Sequence, residues 1–453
     1  MEKLRVGYVC CARLSFDATY AKNLFERSLQ SLSKLGVTLV HSPELTVTEE
    51  DAEALAARFA AERVDVLLIQ YGTFSLGTLI PIFSERLGLP IILWGVPEPS
   101  LDNPKLHSNS FCGINMNAHT LMRLGRPYDY IFCQPEEAVG ELDSKLRVLE
   151  CLKQLRQSRI GLVGYRVPGF YTSTFDELGL RRLLGVEVHH VSLAEVFDEA
   201  RRVDPAACRE EAEAVRKMAC RCDVDQTEVD KAAALNLAYR TITEKYRLNG
   251  LAVKCWPEFP GNYGIATCAS ISRMNDWGVM TSCEGDVWGT VSMLIERSLT
   301  GKHPMFADFI AIEEEKNVGV CWHCGSASTC LAADSGQISL CKHATVDGGG
   351  KKGVIVNFPI RGEGPVTVAR LGVGPNGPRM FLAGGEAVPA VQKLLGNPFA
   401  IRFHSPVRRL LDVIIREGME HHYVLVHAEI RSELRQLAKW IGVEMLDVDG
   451  EGR

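Results

Sequence analysis

The order of apolar and polar positions divides the chain into three stretches of different rhythm. In the first, short apolar runs alternate with helix-period segments. Arg5 to Cys10 (RVGYVC), Val37 to His41, Val64 to Gln70 (VDVLLIQ) and Pro90 to Trp94 (PIILW) read as strands, and Tyr20 to Leu35 and Ala52 to Arg63 as helices. Strand, helix, strand in this order predicts a parallel sheet covered on both faces. No Gly-x-Gly-x-x-Gly follows the first strand, so the dinucleotide fingerprint is missing and the sheet reads as a sugar- or partner-facing module. A helical connector, Glu136 to Gln157, leads into a second unit of the same kind. Its strands are Arg159 to Gly164, Val186 to Val191, Gly250 to Cys255 and Gly278 to Cys283, with charged helices Ala207 to Arg221 and Glu228 to Tyr246 outside them. Past about residue 318 the runs turn short and β-like: Val318 to Trp322, Gly353 to Pro359, Val366 to Leu371 and Met380 to Ala383. Turn signals separate them at Asp347 to Gly350 and Pro375 to Gly377. A strand candidate in HHYVLVHAEI and a helix from Arg431 to Ile441 close the chain. The expected class is therefore α/β, with two doubly wound parallel-sheet domains (1–135 and 136–300) and a mostly antiparallel β-barrel domain (301–453). There is no internal repeat, and only Asp347 to Lys352 is low in complexity.

One stretch departs from pure packing logic. Ser282 to Asp308 (SCEGDVWGTVSMLIERSLTGKHPMFAD) sets Glu284 and Asp308 at the two ends of what reads as one amphipathic helix. Val287, Val291, Leu294, Ile295 and Leu299 make its buried stripe, and Gly301 and Pro304 stop it. Glu284 falls just past a strand end, where open α/β sheets place their ligands, and so does Glu258 after Lys254-Cys255-Trp256-Pro257. Two carboxylates joined by a histidine, His421 or His422, would suit Mn²⁺, Fe²⁺ or Mg²⁺ better than structural zinc. The plainer alternative makes Glu284 a helix N-terminal charge and Asp308 an ordinary surface acid.

Composition narrows the function. With 453 residues, 46% hydrophobic and 23% charged, the chain has the make-up of a soluble protein with two or three domains. A net charge of −6 argues against nucleic acid as a partner. No apolar run reaches the roughly 20 residues of a membrane span. The start, MEKLRVGYVCCARL, lacks a secretory h-region, so a cytoplasmic location is expected. The 15 cysteines sit largely inside apolar runs and read as free thiols rather than a disulfide framework. Cys321, Cys324, Cys330, Cys341 and His343 could in principle hold zinc, but their spacing is irregular and buried thiols on a strand fit better. Arg13, Trp94, Arg166, Lys254 and Trp256 fall near strand ends, where rings stack on sugars and cations pair with anionic substituents.

The motif itself carries a resemblance. Glu284 with Asp286, then Leu299-Thr300-Gly301, then Phe306-Ala307-Asp308, resembles the metal-site segment of the L-fucose isomerase and L-arabinose isomerase family. CWHCGSAS is similar to that family's next block, with His323 where the arabinose branch has a ligand histidine. GMEHHYVLVHAEI resembles its C-terminal segment, whose second histidine of the pair, here His422, binds metal. The resemblance implies three domains, a divalent cation (usually Mn²⁺) on Glu284, Asp308 and His422, and a closed homo-oligomer, a trimer or hexamer. It also implies a small-molecule sugar as partner: an L-fucose- or L-arabinose-like aldose, or a modified hexose such as sulfoquinovose. Lys254, Trp256, Glu258, Arg13, Trp94 and His323 are the expected substrate contacts, and a sulfonate would need Arg13, Arg166 or Lys254. The chain is shorter than well-known members, and its cysteine-rich entry to the third domain is unusual.

Isomerisation moves a proton between C2 and C1 through an enediolate, with a Lewis acid on the oxygens and a carboxylate moving the proton. Glu284 and Asp308 are the expected catalytic pair. Two tandem α/β domains also describe a non-catalytic sugar-binding protein, but such a protein needs neither the acids nor a C-terminal β domain.

Overall fold

The structure, a computed structural model, describes residues 3–102, 104–343 and 352–450. The turn expected at Asp347 to Gly350 and most of the low-complexity run lie outside these residues. The contacts divide the chain into two compact units, Met1–Lys153 and Gln154–Arg453.

The first unit is a five-stranded parallel sheet with strands in the order Thr38–His41, Arg5–Cys11, Val66–Tyr71, Ile91–Gly95, Tyr128–Phe132. Apart from Arg5, its central strands are buried along their length, which is why they read as unbroken apolar runs rather than alternating ones. The helices Ala18–Leu32 and Glu49–Ala61 begin at Asp17 and Thr48, whose side chains accept from backbone N–H groups of the first turn.

The second unit holds a four-stranded parallel sheet and a seven-stranded, mostly antiparallel one. The first runs in the order Met280–Ser282, Gly250–Val253, Arg159–Val163, Glu187–Val191. The second runs Pro365–Gly374, His422–Val426, Met305–Glu313, Val318–Trp322, Phe399–Phe403, Gly377–Val388, Glu444–Asp447. Pro365–Gly374 also pairs along Gly377–Val388 across the Pro375–Gly377 turn, so the ladder of the first six strands runs in a circuit. Glu444–Asp447 is added to it in parallel. The helix Val287–Thr300 packs on strands of both sheets, Gly250–Val253 and Pro365–Gly374, and one continuous apolar core joins them. The boundary expected at residue 300 thus falls inside this unit.

Two expected elements come out differently. The helix placed at Ala207 to Arg221 ends at Lys217, and Arg221–Cys222 instead pairs with Ser339–Lys342. Val354–Asn357 pairs with that same strand in a separate three-stranded sheet, not in the seven-stranded one. Its apolar run fits either sheet, and the pairing that decides is tertiary. Among the described residues, no helix is long and apolar enough to cross a membrane.

Candidate active site and metal centre

Glu284 and Asp308 converge on His422 Nε2, at 3.4 and 3.6 Å, and the helix between them is not what brings them there. The chain leaves the strand Met280–Ser282 through Glu284 and Gly285, both left-handed (φ 61° and 71°). Gly285 is required here, because a Cβ on it would lie 2.3 Å from the carbonyl oxygen of Tyr165. The helix starts at Val287 and ends at Gly301 in the left-handed cap its sequence foretells. Asp308 follows on the strand Met305–Glu313, where antiparallel pairing sets it opposite His422 on one side and Trp322 on the other. Residues opposite each other on adjacent strands lie about 5 Å apart. Register, rather than helix geometry, therefore brings the C-terminal histidine to the acid.

The capping role considered for Glu284 belongs to Asp286, whose Oδ1 accepts from the Gly289 N–H at 2.8 Å. The fully buried Arg370 donates to both Asp286 oxygens, at 2.6 and 3.0 Å. Burial would push the Asp286 carboxyl up, but the guanidinium and His422 outweigh it and hold the group well below the usual carboxylate range. Its Oδ2 meets His422 Nδ1 at 3.0 Å. An ionised carboxylate accepts only, so Nδ1 carries a proton towards Asp286 and Nε2 is the nitrogen left to face a ligand.

That Nε2 is buried and has no hydrogen-bond partner, and neither has the buried Oδ1 of Asp308, 3.6 Å away. Glu284 Oε2 lies 3.4 Å from the same Nε2 and 3.0 Å from His421 Nε2. Buried polar atoms are seldom left without partners. Metal–oxygen and metal–nitrogen bonds of about 2.1 Å put neighbouring ligand atoms about 3 Å apart, so orphaned oxygen and nitrogen atoms at these spacings fit a divalent cation. Among the described residues, Glu284, His421 and His422 bring ligand atoms within 4.8 Å of one another, a group that takes in both histidines of the pair and leaves Asp308 just outside. His421 Nδ1 is in turn held by Thr172 Oγ1 at 2.7 Å. Burial raises the Asp308 carboxyl despite the opposing pull of both histidines, as suits a group that takes and returns a proton.

The other sequence candidates divide. His323 is buried beside the site, its ring 5.8 Å from that of His422 and its Nδ1 3.2 Å from Ser326 Oγ. Burial and the neighbouring histidines keep it neutral. Lys254 and Glu258 follow the strand Gly250–Val253 and pair with each other at 2.6 Å. Trp256 packs edge-on to Phe170, which packs edge-on to His421. Trp94 is a correction: it is fully buried within the first unit, its indole N–H donating to the Cys133 carbonyl, and it packs rather than binds. Arg13 is exposed in that unit. All the cysteines are unbridged. Cys321 is buried in the strand Val318–Trp322 and Cys330 is exposed, while Cys324 and Cys341 pack with Cys268 in a small apolar cluster. The sequence offered His421 as the alternative to His422, but it did not single out Arg370 or Thr172, which arrive from a distant strand and a loop.

Residues 7–156 match the family described as fucose/sulfoquinovose isomerase, N-terminal domain. The chain is 30% identical over 449 residues to a sulfoquinovose isomerase of Alkalicoccus urumqiensis, covering 98% of this chain and all of the relative. It is 29% identical to that of Priestia megaterium, over 98% of this chain and 99% of the relative. It is 26% identical to that of Clostridium sp. (strain MSTE9), with the same coverage.

Proposed function

This chain belongs to the fucose/sulfoquinovose isomerase family and is an aldose–ketose isomerase, and from that premise we propose that it converts sulfoquinovose to the 2-ketose at a divalent metal held by Glu284, Asp308 and His422. The observation that carries the metal assignment is the pair of buried, unpartnered atoms, His422 Nε2 and Asp308 Oδ1, facing each other at 3.6 Å. A bound divalent cation, Mn²⁺ in our reading, supplies a Lewis acid to the vicinal oxygens of the open-chain sugar.

The chain's own groups do the rest. Asp308, its carboxyl raised by burial, takes the proton from C2 and returns it at C1. His421, its two ring nitrogens held by Thr172 and Glu284, orients the Glu284 carboxylate beside the metal. Asp286 and Arg370 fix the His422 ring and keep its free nitrogen aimed at Glu284 and Asp308. Phe306, its ring 4.2 Å from that of His422, screens one side of the imidazole from water. A closed homo-oligomer in the cytoplasm completes the reading.

The test is product detection by NMR with sulfoquinovose, L-fucose, L-arabinose and D-arabinose, on chelator-treated protein with and without added Mn²⁺. We expect ketose from sulfoquinovose only when metal is restored. Equal turnover in the presence of chelator would overturn the metal assignment, and turnover of the neutral sugars alone would overturn the substrate.

A further inference from the structure

The cations around the site are not equivalent. Chain segments leave the first three strands of the parallel sheet at its carboxyl edge, the ligand face of such sheets. They carry Glu284 after Met280–Ser282, Lys254 with Trp256 after Gly250–Val253, and Arg166 after Arg159–Val163. Arg370 is committed to Asp286 through two hydrogen bonds, and Lys254 to Glu258 at 2.6 Å. Arg166 has no carboxylate partner among the described residues. Its one hydrogen bond runs from Nη1 to the Val167 carbonyl at 3.4 Å, and its Nε is buried without a partner. The guanidinium lies 4.8 Å from the Tyr171 ring centre and 5.7 Å from that of Tyr165. Aromatic faces hold a cation in place without neutralising it.

Arg166 is also beside the metal centre. A Cβ on Gly285, the residue after Glu284, would lie 2.9 Å from Arg166 Cα. The same loop supplies Phe170, packed on both His421 and Trp256, and Thr172, which holds His421. With carbon–carbon bonds near 1.5 Å, an extended six-carbon sugar spans only about 6 Å. A C6 anion on a substrate whose C1 and C2 lie at the metal must therefore end within one side chain's reach of it.

We propose that Arg166, steadied by Tyr165 and Tyr171, is the subsite that recognises the C6 sulfonate. Its planar donor fork matches the oxygens of a tetrahedral oxyanion, a geometry a lysine ammonium does not reproduce. The proposal rests on the reading of the substrate as a sulfonated hexose and assigns its selectivity to one residue.

The measurement is the ratio of kcat/KM for sulfoquinovose to kcat/KM for D-glucose, which carries a hydroxyl where the sulfonate stands. It is read in wild-type protein, Arg166→Met and Arg166→Lys, with Mn²⁺ affinity and Tm measured alongside. We expect the ratio to fall at least about tenfold in Arg166→Met, carried by KM for sulfoquinovose, and less in Arg166→Lys. Should Arg166→Met lower Tm, the comparison moves to Arg166→Lys, which keeps the charge and the stem. A ratio unchanged in a folded variant, while wild type converts sulfoquinovose, overturns the subsite alone. Wild type with no preference for sulfoquinovose overturns the substrate reading and the subsite with it.

Discussion

A histidine gives a metal one nitrogen, and which one depends on what holds the other. Here Asp286, itself gripped by Arg370, takes Nδ1 of His422 and leaves Nε2 facing Asp308 and Glu284. Asp286→Asn keeps the size of the side chain but weakens its hold on Arg370 and allows the ring to flip or change tautomer. We expect Mn²⁺ affinity to drop about 10–100-fold, measured by calorimetric titration, with the fold retained. Affinity equal to wild type would show that the ring needs no such support. Glu284, Asp308 and His422 were legible in the sequence because short motifs carry them. The Asp286–Arg370 contact was not, since it joins residues 84 positions apart that only the packing of a helix on a distant strand brings together.

At the scale of elements, the helix Val287–Thr300 carries more than the spacer role its apolar stripe suggests. Val287, Val291, Ile295 and Leu299 are buried as the periodicity requires and Leu294 only partly, but Glu296 is buried too, and both its oxygens lack partners. Sequence pattern places a glutamate there on a polar face. The face is polar only until a second sheet covers it, and that covering is set by tertiary packing. Burial pushes the Glu296 carboxyl well above its ordinary 4.5, so the folded state holds it protonated. The unfolded chain releases that proton from about its ordinary pKa upward, so stability falls as pH rises through that range toward the folded-state value. Glu296→Gln removes the ionisation. We expect it to stabilise the protein at neutral pH by roughly 1–3 kcal/mol and to flatten the pH dependence of Tm above about pH 5. A Tm profile parallel to wild type would contradict this. Most strands of the parallel sheets were legible because burial on both faces leaves unbroken apolar runs, whereas the edge strand Tyr128–Phe132, exposed at alternate residues, was not read from the sequence. The antiparallel part was less legible, since Phe399–Phe403 and Glu444–Asp447 are short and their partners lie far along the chain.

For the molecule as a whole, the site needs all three of its sources at once. The parallel sheet contributes Glu284 at its carboxyl edge, the seven-stranded sheet contributes Asp308 and His422 in register, and the helix between them contributes the cap that orients the histidine. The four-stranded parallel sheet alone supplies only Glu284, and it is the seven-stranded sheet that adds the Asp308 carboxyl and the His422 imidazole. The claim that these groups form one catalytic centre is tested most directly by kcat for sulfoquinovose in Asp308→Asn at saturating Mn²⁺. The side chain is isosteric, so Tm should stay within about 3 °C of wild type. We expect kcat to fall about 10²–10⁴-fold. Turnover within a few-fold of wild type in that folded, metal-loaded variant would contradict the account.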